Sequence, residues 1–135
     1  MKKSLLTFAL LSSAAMSQVF AHGILSPHQS YSVNKEAKVV VISIEVINQR
    51  TDIDQFSVVV RDAETGEGVA FASPTRTFNQ KLMDPPKKLT VLVKNDSQLP
   101  RSLRVCTISA GKKIDSSMLA TEVCSLINIR QSKDN

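Results

Sequence analysis

Few side chains in this sequence can do chemistry, and their spacing narrows what they could do. Cys106 and Cys124 are the only cysteines. Two cysteines have one intramolecular pairing available, so in an exported chain a single disulfide is the simplest reading; two unpaired buried thiols are the alternative. Closing a loop of this size stabilises by about 3 kcal/mol in the chain-entropy picture. A structural zinc site takes four ligands, and the two histidines, His22 and His28, stand far from the cysteines in sequence. His22 has a chemistry of its own: cleavage after Ala21 would make it the first residue, and its amine and imidazole together can chelate copper(II). His28 lies six residues on, about 20 Å along an extended strand, so the pair can share an ion only if the chain folds back near Gly23 or Pro27. A copper site at His22 and His28 is thus the alternative reading, and otherwise no cofactor is expected. The 12 carboxylates form no pair whose spacing implies acid/base work, and no Ser/His/Asp set or glycine-rich phosphate loop is present. The expectation is a non-enzyme.

The elements that would position these residues begin after a leader. Residues 1–21 read MKKSLLTFALLSSAAMSQVFA: two lysines, a short apolar run, then small residues up to Ala21. This is the pattern of a cleaved signal peptide, and its apolar run is too short to span a bilayer. An exported, periplasmic protein follows, with no membrane span in the mature chain. Residues 22–130 are expected to form one domain, and 131–135 a disordered tail. Removing Lys2 and Lys3 lowers the formal charge from +5 to +3. The remaining basic residues are scattered, there is no tryptophan, and Tyr31 is the one tyrosine, so a nucleic-acid surface is not expected.

Within 22–130 the strongest signal is residues 39–48, VVVISIEVIN, where Val40, Ile42, Ile44 and Val46 alternate onto one side of a strand. Residues 24–33 form a weaker strand broken by Pro27, a residue that belongs at an edge or where the chain changes partner. Residues 55–62 place Phe56, Val58 and Val60 on one face, and residues 69–78 form another edge segment, interrupted by Pro74. Residues 88–95 turn Leu89, Val91 and Val93 inward, and residues 102–109 do the same with Leu103 and Val105. Met118, Leu119 and Ala120 could form a helical turn. Residues 121–130 close the series with Val123, Ile127 and Ile129 sharing a face. Seven strands without a helical period predict an all-β fold, a seven-stranded antiparallel immunoglobulin-like β-sandwich with one disulfide. Pairing Cys106 with Cys124 across the last hairpin would put Leu103, Val105, Val123 and Ile127 together on the opposite face, so the bridge and the core agree on one register.

Several short motifs, LSP before a Tyr-bearing strand, EVIN, ASPTRTF, DPPKKLTVLV and LRVC, resemble the N-terminal immunoglobulin-like domain of periplasmic pilus-assembly chaperones, the PapD-like family. The resemblance spans residues 24–130. It implies a chaperone-like or accessory role in the assembly of pili or other exported subunits, with the last strand lent to an incomplete pilin-like subunit by β-strand addition. An exported pilin-like subunit or an usher-type assembly component is the implied partner. On that analogy Val123, Ile127 and Ile129 are the knobs offered to the partner, with Ser125 interrupting their alternation, and Arg130 stands near the family's basic residue in that strand. The family's first-strand arginine falls at Gln29, which carries no charge to hold a carboxylate.

Overall fold

The computed structural model describes residues 22–110 and 121–132. The leader, the helical turn proposed at Met118–Ala120 and residues 133–135 lie outside the described residues. The strands are β1 (Gly23–Ile24), β2 (His28–Val33), β3 (Val39–Ile47), β4 (Gln55–Asp62), β5 (Phe71–Ala72), β6 (Thr77–Asn79), β7 (Lys87–Lys94), β8 (Ser102–Ala110) and β9 (Glu122–Gln131). They make two sheets, ordered β1-β3-β7-β5 and β2-β9-β8-β4-β6. The described residues contain no helix, and so none long and apolar enough to cross a membrane.

The expected β-sandwich is present, with nine strands where seven were counted. The difference comes from the two proline-broken segments. Proline fixes φ and offers no N–H to a ladder, and in both places the chain uses the break to change sheets. Around Pro27, β1 pairs with β3 in one sheet and β2 pairs with β9 in the other. Around Pro74, β5 pairs with β7 and β6 with β4. Each segment therefore supplies one edge strand to each sheet. A second correction concerns direction: β2 and β9 run parallel, whereas every other named strand pair is antiparallel.

Alternation builds the core between the sheets. On β3 the exposures of Val40, Ile42, Ile44 and Val46 lie between 0 and 2%, while Val39 and Val41 point to solvent. Phe56, Val58 and Val60 of β4 face them from the other sheet together with Leu103, Val105 and Ile127. Burying a side chain of this size is worth about 1.5–3 kcal/mol, so these positions dominate the fold's stability.

Polar residues pin one end of the sandwich. Asn48 donates from Nδ2 to the carbonyls of Ile53 and Gln80, each at 2.7 Å, and Gln80 donates from Nε2 to Val46 O at 2.9 Å. Both side chains are buried, so leaving these carbonyls unmet would carry a full desolvation cost. Elsewhere, the crossing at Pro27 uncovers the edge of β3 beyond Glu45, the last residue there to accept a backbone N–H, from Leu25. The Tyr31 hydroxyl occupies the space: it accepts from Ser43 N–H at 3.2 Å and donates to Gln29 Oε1 at 2.6 Å.

Candidate functional site

The last strand carries every residue read as a partner contact, and its pairing decides which of them can serve. Cys106 lies opposite Cys124 and the two form the disulfide. The same ladder pairs Leu103 with Ile127, Val105 with Ser125 and Thr107 with Val123, the register anticipated from the cysteines. Ser125, which breaks the apolar alternation, has a local reason to be there. Its hydroxyl donates to Ser26 O at 2.6 Å, latching the segment that crosses between sheets.

Two of the three proposed knobs are corrected by this arrangement. Ile127 is fully buried and Ile129 is 7% exposed, both inside the sandwich. β2 runs alongside them, matching Gln29 to Ile127 and Tyr31 to Ile129. Packing between the sheets has claimed these side chains, and offering them to a partner would dismantle the core. Val123 is half-buried. The pairing with β2 starts at Leu126, leaving the first part of β9, residues 122–125, with a strand partner on the β8 side only, while Ser26 of the crossing segment meets Ser125.

Backbone direction at this edge follows from the bonds on either side. Leu126 N–H donates to Pro27 O, away from β8, whereas Thr121 O accepts from Ser109 N–H on β8. Strand alternation then aims the N–H and C=O of Glu122 and Cys124 at the uncovered side. Among the described residues these groups have no hydrogen-bond partner. Ser109 and Thr121 clasp the start of the strand, with hydroxyl oxygens 2.7 Å apart.

Arg130 sits on the outer face of the five-stranded sheet, exposed, opposite Ser32 of β2. With Arg101, Ser102 and Asn128 it lines a groove of about 750 Å³ that is closed on the far side by the β7–β8 connection. Gln29 faces inward, hydrogen-bonded to Tyr31. The position matched to the family's arginine and Arg130 are therefore on opposite faces of one sheet and cannot hold a common ligand. Sequence reasoning missed Arg101 as a groove residue, because nothing local to it signals that the β7–β8 connection folds back over β9.

The histidines do not meet either. His22 is 4% exposed, its ring 4.9 Å from that of Phe56, with Nε2 3.0 Å from Thr107 O and 2.8 Å from Thr107 Oγ1. A carbonyl only accepts, so Nε2 carries the proton and Nδ1 is a buried acceptor with no partner among the described residues. Burial, opposed by the bond to Thr107 and reinforced by the charge of Arg50, holds the His22 imidazole below its usual pKa. His28 opens β2 on the exposed outer face. The copper reading of His22 and His28 finds no support in this arrangement: the crossing at Pro27 sends one imidazole into the core and the other to solvent. Among the described residues, one group of three metal-ligand types gathers, Cys106, Glu122 and Cys124. Its sulfurs are bonded to each other and offer no thiolate.

No protein-family model matches the chain, and no curated protein matches it by sequence. Solved structures do. The E. coli chaperone DraB superposes with a TM-score of 0.62 at 14% identity, over 83% of this chain and 56% of its own. The periplasmic chaperone SfaE gives 0.58 at 14%, over 83% and 58%. The SafB chaperone complex with the Salmonella enterica SafA pilin gives 0.58 at 13%, over 85% and 56%. This chain has the PapD-like fold. A PapD-like domain of human CEP192 is also similar, with a TM-score of 0.53 at 8% identity and 87% of that chain covered, so the PapD-like architecture extends to proteins whose names mention no chaperone. The present chain spans a little over half the length of the bacterial chaperones it matches.

Proposed function

We propose that this protein is a periplasmic, chaperone-like accessory in the assembly of pili or other exported subunits, binding a pilin-like partner by strand addition. The observation that carries the reading is the edge at residues 122–125 of β9, where Glu122 and Cys124 present N–H and C=O groups that have no hydrogen-bond partner among the described residues of a PapD-like fold. Main-chain hydrogen bonding to such an edge supplies affinity, and side chains alternating beside it supply selectivity. Val123, half-buried at this edge, is the notable apolar contact. Support from outside the chain comes from the chaperones DraB and SfaE and from the SafB–SafA pilin complex. An usher-type component is a second candidate occupant of the same edge. The role needs neither catalysis nor a cofactor, and the leader-like residues 1–21 fit export to the periplasm.

The test is a proline at the open edge. Glu122→Pro removes an N–H that points away from β8, so the ladder to Ile108 is spared, whereas Glu122→Gln keeps the N–H and removes only the charge. Co-expression with a pilin-like exported subunit, followed by co-purification, should show at least tenfold less complex for Glu122→Pro and wild-type recovery for Glu122→Gln. Circular dichroism and the melting curve report that the proline variant is folded. Undiminished recovery by a folded Glu122→Pro variant would remove this edge from the mechanism.

A further inference from the structure

On the outer face of the five-stranded sheet, Arg104 of β8 lies directly opposite Arg61 of β4. Like charges facing each other across a ladder are destabilising. Glu122 relieves half of the problem by pairing with Arg61 at 3.0 Å. Arg104 is exposed, and among the described residues it has no carboxylate partner; neither does Arg130 or Arg101. Among the described residues, the one carboxylate lining the groove beside Arg101 and Arg130, Asp96, lies 3.8 Å from Lys94.

The register sets these cations along a line. Arg104 pairs with Leu126, and the next outward row holds Ser102 opposite Asn128, joined by a 3.1 Å hydrogen bond from the serine hydroxyl to Asn128 Oδ1. Arg130 stands one row further along β9. Four residues of strand and one interstrand step put Arg104 and Arg130 about 14 Å apart. In an extended peptide, side chains at positions i and i+4 point the same way and are about 13 Å apart. Guanidinium forks bind carboxylates bidentately, which rewards such a match in a way that diffuse charge does not.

We propose that this face is a docking surface for an extended acidic peptide segment, with carboxylates at i and i+4 paired to Arg104 and Arg130 and Arg101, beside Ile129, flanking the path between them in the groove. The surface is separate from the open edge at residues 122–125 and does not depend on it. Charge complementarity and the straight, groove-ended path select a peptide over a lipid surface, for which the spacing of two arginines would be immaterial.

The experiment uses the processed full chain and two synthetic nonapeptides of identical composition, serine and threonine with two glutamates, at i and i+4 in one and at i and i+1 in the other. Binding is followed by fluorescence anisotropy at low and at 0.15 M salt, with phosphatidylglycerol vesicles as the lipid arm. The i,i+4 peptide should bind at least tenfold more tightly than its isomer, and Arg104→Gln or Arg130→Gln should each abolish the preference. Equal binding of the isomers, absence of peptide binding, binding only to vesicles, or a preference that survives both arginine substitutions would each overturn the proposal. Because Arg104 and Arg130 are exposed and Arg104→Gln relieves the repulsion with Arg61, their replacement should not lower the melting point, so a loss of binding is read on folded protein.

Discussion

Replacing Ile127 by alanine separates the two roles its sequence position allowed, a knob for a partner and a brick of the core. The side chain has no exposed surface and is held between Leu103 on β8 and Gln29 on β2. Truncation removes three carbons from a site walled by two strands and by the opposite sheet, where collapse around the void is restricted. Such deletions cost about 2–5 kcal/mol, and full burial at a central strand argues for the upper half of that range. Against a total stability of roughly 5–15 kcal/mol for a domain this size, the melting point should fall by on the order of 15 °C. Urea unfolding with the disulfide intact measures it: the midpoint should drop with an unchanged slope. Val123→Ala, at a half-buried site, should cost only about 1 kcal/mol by the same measurement. A loss below about 1 kcal/mol for Ile127→Ala at constant slope would refute its assignment to the core.

Three further perturbations read out other parts of the structure. The His22 imidazole titrates below its usual value of 6.5 when folded, so the unfolded chain takes up its proton first. The neutral ring's contribution is therefore complete above about pH 6.5 and is lost as pH falls through that value toward the folded pKa; His22→Gln should flatten this part of the stability-versus-pH curve, and an unchanged slope would contradict the burial of Nδ1. Replacing both Cys106 and Cys124 by serine releases a loop with a sequence separation of 18 and should cost about 3 kcal/mol in denaturant unfolding. Met83 has a φ of +69° and is 89% exposed, so Met83→Gly relieves a left-handed conformation without emptying the core and should raise stability by about 1 kcal/mol; a lower melting point would show that the methionine makes a contact of its own.

The long strands were legible because each has one dry face. In β3, β4 and β7 the period-two pattern in the sequence is the burial pattern in the structure, while in β8 it holds for Leu103 and Val105 and then gives way to buried Cys106, Thr107 and Ser109. The cysteines fixed the β8–β9 register for the same reason, since a slip of one residue would expose Leu103 and Ile127 together. What stayed hidden was long-range. Nothing within residues 24–33 states that the chain leaves β3 for β9 at Pro27, although the proline marks the place where it does. That crossing decides that Ile127 and Ile129 are core, that Gln29 faces inward and that His22 and His28 part company. Arg61 and Arg104 are 43 positions apart in sequence, and only the ladder between β4 and β8 reveals that they confront each other.

The parallel pairing of β2 with β9 bears on how the molecule carries load. β2 stands near the beginning of the described chain and β9 at its end, and six residue pairs, from His28–Leu126 to Val33–Gln131, join them side by side. Tension applied to the two ends in opposite directions would peel the short β1 and then pull β2 and β9 past one another along their length. All six pairs would resist together, as stitches in a lap joint do, whereas an antiparallel hairpin pulled from its open end yields one stitch at a time. The disulfide welds β9 to β8 behind this joint. Single-molecule pulling from the two termini should therefore meet a single high-force rupture after an early, weak one.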